Sequence, residues 1–235
     1  MNFLQLVQDL ARQSGTLAGG TTLSSVVDQT GRADKLVNWI TSAWVDIQNE
    51  KQGKWNWLRG EFQAPLTIGQ SRYTATDLGL TRFSAWEVET HRFEPFTTYN
   101  PAIGQGDESE IGQIDYQLWR SKYDRRTHDA NRPIEWALSP ANELCIGTKP
   151  DKAYVLRGEY WKAPQELAAN DDVPEVAARH HKAIVYKAMM LMAEADESIT
   201  TFNMAERKFG ELYANLCNDR TCLPHVSVRA AGPLA

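Results

Sequence analysis

Lys54-Trp55-Asn56-Trp57-Leu58-Arg59-Gly60-Glu61-Phe62-Gln63-Ala64-Pro65-Leu66-Thr67-Ile68, residues 54–68, is the stretch in which the chain changes its period. Upstream of it, Leu36, Val37, Ile40, Ala43, Trp44 and Ile47 recur at helical spacing and predict a helix over about Arg32 to Lys51. Downstream, Phe62, Ala64, Leu66 and Ile68 alternate with Glu61, Gln63 and Thr67, the period of two that belongs to a strand. Trp55 and Trp57 at the junction suit a plug at the base of a helical layer. Their interleaving with Lys54 and Arg59 also suits stacking on nucleic-acid bases, but no wider basic patch supports that reading.

Toward the N-terminus, Phe3, Leu6, Val7, Leu10 and Ala11 form a second helical stripe, over about Phe3 to Gln13. Asn2, with Gln5 three residues on, has the form of a capping box. Residues 14–30 are small and polar and read as a long connection, either slack or a contact with a neighbouring subunit. Trp39 falls off its helix's stripe and is free to face another element.

Beyond the junction, Gly69-Gln70 suits a tight hairpin that returns the first strand through Tyr73. Further alternating segments come at Trp86–Thr90, Ile134–Leu138 and Tyr154–Trp161, and the turn Ser139-Pro140-Ala141-Asn142 leads to Leu144-Cys145-Ile146. Each shows one apolar face, as in an antiparallel sheet that covers a core on one side. Pro101 to Gln113 reads as an acidic surface loop, with a short helix over about Ile114 to Tyr123 after it. Helical spacing returns after Asn170. There Asp172 and Glu175 fit a capping box with Pro174 in the first turn, and Val176, His180, Ile184, Ala188, Leu191 and Ala195 share a face. Phe202, Ala205, Phe209, Leu212 and Leu216 mark a last helix, joined to its predecessor by the short Ala195–Ser198 link of antiparallel neighbours. The helical pattern stops at Asn218, and no acidic residue follows Asp219.

These periods predict an α+β fold. N- and C-terminal helices form one helical bundle from 1–58 and 170–217, 59–169 is a central antiparallel β-rich insertion, and 218–235 is an extended C-terminal arm. A chain of 235 residues with 42% apolar and 23% charged residues buries a sizeable core without staples. Eight tryptophans suit both cores and interfaces. The net charge of −5 argues against coating nucleic acid, although a mildly acidic wall lets a polyanion slide past. Cys145, Cys217 and Cys222 are odd in number and lack a CxxC, which indicates buried or idle thiols in a reducing cytosol and neither a disulfide framework nor a zinc ribbon. No signal-peptide pattern and no membrane-length apolar run is present, which predicts a soluble protein made in the cytoplasm, with no membrane partner.

Candidate chemistry is sparse. There is no GxxxxGK[ST], HExxH, GxSxG or strand-to-helix GxGxxG. His180 and His181 are adjacent, so on a helix they point about 100° apart and cannot face one ion together; His180 belongs to the core stripe or an interface and His181 to the surface. Glu194, Asp196 and Glu197 read as a solvated turn, and Asp107, Glu108 and Glu110 lack the ligand spacing of a calcium loop. Trp119, Arg120, Lys122, Tyr123, Arg125, Arg126 and His128 are the most basic stretch and suit either contact with DNA or an acidic partner, or balance for the acidic loop before them. Catalytic, cofactor and metal sites are therefore all expected to be absent. A hydrolase using Glu194 or Asp107 and a DNA-binding regulator are the weaker alternatives.

The order of the first helix, the small-residue loop, the second helix running into Trp55-Asn56-Trp57-Leu58, the strand Phe62–Ile68 with its Tyr73 return, the Pro174-led helix with His181-Lys182-Ala183-Ile184-Val185, the closing helix and the tail resembles the head-to-tail adaptor (connector) proteins of tailed bacteriophages. The resemblance covers nearly the whole chain. It implies a structural virion protein of the neck, with no cofactor, that forms a ring, commonly a dodecamer, under the portal protein and continues the DNA channel. Its partners would be portal, neighbouring adaptor subunits, a tail-side protein (stopper, nozzle or tail tube), and genomic DNA passing without sequence-specific binding. The portal-binding arm would comprise Cys222, Leu223, Pro224, His225, Val226, Ser227, Val228, Arg229, Pro233 and Leu234 within 222–235. Trp39, Trp55, Trp57 and Trp119 are candidate subunit contacts. A stopper or tail terminator is the alternative within the neck.

Overall fold

The computed structural model describes residues 1–16, 23–88, 94–126 and 128–223. The fold is α+β, and the chain divides into two compact units, one from the described residues of Met1–Leu58 and Pro164–Ala235, the other from those of Arg59–Ala163.

The first unit is helical: α1 (Phe3–Ser14), α2 (Gly31–Asn49), α4 (His181–Ala195) and α5 (Ile199–Asn218). Asn2 and Gln5 form the capping box at the start of α1, each side chain accepting the other's backbone N–H. Gly15, at φ 63°, closes the helix in the left-handed conformation that glycine adopts without strain. Helix α2 stops at Asn49 because Lys51 and Gln52 turn left-handed. Its stripe Leu36, Ile40, Ala43, Trp44 and Ile47 is buried. Helix α4 packs against α1, α2 and α5. Consequently Ala183, Ile184, Val185, Ala188, Met189, Met192 and Ala193, drawn from more than one side of it, are all buried. Each large apolar side chain so buried stabilises the fold by about 1.5–3 kcal/mol relative to exposure.

The stretch before α4 departs from expectation. The helix begins at His181, after a single 3-10 turn over Ala178–His180, and no capping box forms at Asp172 and Glu175. Asp172 instead accepts the N–H groups of Ala168 and Ala169, and the Glu175 N–H goes to Gln165 Oε1. The cause lies far away in sequence. The Phe3 and Leu4 N–H groups, orphaned in the first turn of α1, donate to the Asp172 and Asn170 carbonyls. Those carbonyls are thereby withdrawn from any local helix.

His181 is also not on the surface; it is 1% exposed. Its Nε2–H donates to the Val176 carbonyl, and its Nδ1 lies 2.7 Å from the Met1 amine. Burial, seconded by the charge of that amine, pushes the imidazole below its ordinary value of 6.5. The folded chain therefore takes up the His181 proton only at a lower pH than the unfolded chain, whose imidazole binds one below about 6.5. Stability should fall as pH drops from 6.5 through the lower folded value. Urea midpoints measured across that range should fall less steeply in His181→Gln than in the wild type.

The second unit holds two sheets. In the first, β9 (Val155–Lys162) is central: β1 (Arg59–Pro65) pairs along one edge, while β4 (Thr97–Tyr99) and β3 (Phe83–Trp86) share the other. Strand β5 (Ser109–Glu110) adds to β4. The second sheet runs β2 (Arg72–Tyr73), β8 (Leu144–Gly147), β7 (Glu135–Leu138), β6 (Gly112–Gln113). Phe62, Leu66, Trp86, Phe96, Trp136, Leu144, Ile146 and Leu156, from both sheets and their connections, make one aromatic-rich core. Gly158 is required inside it, because a Cβ there would fall 2.4 Å from the Phe96 ring.

Four expectations fail in this unit. The predicted hairpin at Gly69-Gln70 does not exist: β1 pairs with β9 and β2 with β8, so the turn hands the chain from one sheet to the other. Ile68, at the end of the alternating run, lies beyond β1 and is exposed. The insertion is not wholly antiparallel, since β6 pairs parallel to β7. Nor is the second sheet apolar on one face only. Helix α3 (Tyr116–Trp119) and the turn after it lay Trp119 and Tyr123 over Ala137 and Cys145, on the face away from the main core. The acidic loop is tied down by ion pairs, Asp107 to Arg132 at 3.0 Å and Glu108 to Arg157 at 3.0 Å.

Candidate functional site

The described chain ends in a compact turn on the helical unit. Helix α5 stops at Asn218, and the Asp219 carboxylate then organises the residues just beyond it. Its Oδ1 accepts the Thr221 backbone N–H at 3.0 Å and the Thr221 hydroxyl at 2.8 Å, an Asx turn. Its Oδ2 accepts from His180 Nε2 at 2.7 Å and from the Arg179 guanidinium, whose Nε lies at 2.7 Å. The His180 bond, then the Thr221 and Arg179 donors, hold the Asp219 carboxyl well below the usual carboxylate range. Arg179 Nη2 also reaches Thr221 Oγ1 at 3.0 Å.

Asn56 holds the turn from the other side. Its N–H donates to the Cys222 carbonyl at 2.9 Å, and its Nδ2 donates to the carbonyls of Thr221 (3.3 Å) and Leu223 (3.0 Å). One residue thus satisfies three consecutive carbonyls. Asn56 is fixed in turn by its neighbours. Trp55 stacks on Trp57 at 4.6 Å, Trp57 on Trp44 at 6.3 Å, and the Tyr213 ring stands edge-on to Trp55. Cys222 is 2% exposed, and burial pushes its thiol up from the ordinary value.

Of the arm residues expected to bind portal, Cys222 and Leu223 lie in this turn. Pro224, His225, Val226, Ser227, Val228, Arg229, Pro233 and Leu234 lie outside the described residues. Trp55 and Trp119 are closed within their own units, whereas Trp39, with the Arg32 guanidinium 4.7 Å above its ring, and Trp57 are partly exposed. The remaining candidates do not converge on a reaction. Asp196 is held by Arg32, Glu194 and Glu197 point to solvent, and Lys122 is paired with Glu135. His180 and His181 are both buried, each with its own partner.

Asn56, Arg179 and Asp219 were not singled out from the sequence. Asp219-Arg220-Thr221 carries a readable Asx-turn signal, but Asn56 is legible only as a spacer between two tryptophans. Among the described residues one group of three metal-ligating types comes together, His180, Asp219 and Cys222, with ligand atoms all within 4.8 Å of one another. No described helix is long and apolar enough to cross a membrane.

The architecture is thus α+β, and the described chain ends in a turn held by Asn56 and Asp219. The chain belongs to the SU10 adaptor protein family, whose model matches residues 1–230, a family of phage head-to-tail adaptors. That family is structural and is not one of enzymes. No curated protein matches the chain.

Proposed function

We propose that copies of this chain close into a dodecameric ring beneath the portal vertex in the virion neck, after synthesis in the host cytoplasm. The C-terminal arm docks on portal, and a tail-side stopper, nozzle or tail tube binds the opposite end. The lumen continues the DNA channel, and the net charge of −5 suits passage of DNA without sequence-specific binding. The observation that supports this reading best, beside family membership, is the Asn56 clamp on the Thr221, Cys222 and Leu223 carbonyls. A segment that must reach a partner from a ring gains by leaving each subunit at one fixed point, because less freedom is lost on docking. Ring closure is a heterologous contact, for which the partly exposed Trp39 and Trp57 are the favoured residues.

The test is the mass of the assembly. Native mass spectrometry should find the isolated protein as a monomer or weak oligomer, and as a closed ring once purified portal is added. A protein that stays monomeric on saturating portal would refute the proposal.

A further inference from the structure

We infer that His180 Nε2, an Asp219 carboxylate oxygen and Cys222 Sγ form a site for a zinc-class divalent metal, which staples the start of α4 to the turn after α5. The three ligand atoms lie within 4.8 Å of one another. Tetrahedral zinc, with bonds of about 2.0–2.3 Å, sets neighbouring ligand atoms roughly 3.3–3.7 Å apart. The present spacing brackets that range. His180 Nε2 and Asp219 Oδ2 are 2.7 Å apart across a shared proton, and an ion that replaces this proton parts them by only about half an ångström.

The donor set selects the metal. A nitrogen, a carboxylate oxygen and a sulfur suit zinc and exclude calcium or magnesium, which take oxygen ligands only. Two of the ligands are buried, and Thr221 fixes the far oxygen of Asp219 as an outer-shell partner would. Three protein ligands leave a fourth position for water or an incoming group. Cysteine ligates as the thiolate, so binding at the buried Cys222 releases a proton and strengthens as pH rises. Arg179 is the competitor. Its guanidinium occupies the same Asp219 oxygen, but the side chain is 58% exposed and can swing outward.

That competition gives the test a sign that a purely structural role would not produce. Reduced full-length protein is titrated with Zn²⁺ against a chromophoric chelator, and with Co²⁺ while the near-ultraviolet thiolate charge-transfer band is followed. One ion per chain is expected, with the thiolate band present. Cys222→Ser should remove the band and weaken zinc by at least the roughly 100-fold that even an outer-shell change can cost. Arg179→Ala should tighten binding, and Cys145→Ser, in the other unit, should leave it unchanged. Asp219→Asn keeps an oxygen for the Asx turn but sets an amide against the His180 and Arg179 donors, so Cys222→Ser and Arg179→Ala are the deciding variants. The inference is overturned if the reduced wild type binds no ion, if the band survives Cys222→Ser, or if Arg179→Ala weakens binding.

Discussion

Deleting residues 224–235 should abolish binding to portal while leaving the thermal unfolding of the protein unchanged. The cut belongs after Leu223 for a physical reason. Asn56 spends its donors on the carbonyls of Thr221, Cys222 and Leu223, and Cys222 is buried. A cut before Cys222 would open a hole and strand those donors, so loss of binding could not be separated from loss of fold. The sequence beyond the cut has no acidic residue and places Val226 and Val228 two apart, a spacing suited to strand addition or to insertion into adjacent pockets. A single such arm binds weakly. A ring that engages many arms at once gains on the order of 10²–10⁴ in avidity, so removing them all should cost at least about 100-fold. Co-sedimentation with purified portal measures it, with melting curves as the control. A truncated protein that co-sediments at full stoichiometry would show that the arm is not the docking element.

What the sequence made legible was local. The capping box of α1 needs only Asn2 and Gln5. The change of period after Leu58 needs only the alternation that β1 displays. The Ser139–Asn142 turn joins β7 to β8 as read, because its residues favour a turn whatever surrounds them; Asn142 adopts φ 61° there. Pairing was not legible. Strand β1 finds β9 across the whole insertion, Arg59 opposite Trp161, and nothing in Gly69-Gln70 reveals that β2 will go to another sheet. The same holds for the second face of β7 and β8. Ala137 and Cys145 alternate correctly with Trp136 and Ile146, yet they are buried because Trp119 and Tyr123 arrive from elsewhere.

The start of α4 and the C-terminal turn obey the same logic. The residues at 172–175 have the composition of a cap, but a non-local demand from the first turn of α1 outweighs it. A capping interaction is worth about 1 kcal/mol, and leaving the buried Phe3 donor and the partly buried Leu4 donor without carbonyls would cost more. At the C-terminal end the Asx turn of Asp219 is local and readable, whereas the clamp depends on Asn56, well over a hundred residues away in sequence. Sites assembled by such contacts come into view only when the fold is known.

Trp55→Ala should destabilise the helical unit by about 3–5 kcal/mol, the range for a fully buried aromatic reduced to alanine. Trp55 is 0% exposed, stacks on Trp57 at 4.6 Å and meets the edge of Tyr213. Its Nε1–H donates at 3.0 Å to the carbonyl of Ile47, one of the last four in α2 and so without a helical partner. Trp55→Phe keeps most of the stacking but strands that carbonyl, and should cost about 1–3 kcal/mol for the buried acceptor. Trp57 provides the contrast two residues on. It is only partly buried as a residue, and its own Nε1 is buried without a hydrogen-bond partner. Trp57→Phe therefore removes a desolvated, unpaired donor and should be nearly neutral. Urea denaturation of the three variants reads the order directly. If Trp55→Ala unfolds within about 1 kcal/mol of the wild type, the aromatic stack is not what closes the base of the helices. Asn56, carried between the two rings, would then need some other reason to hold still.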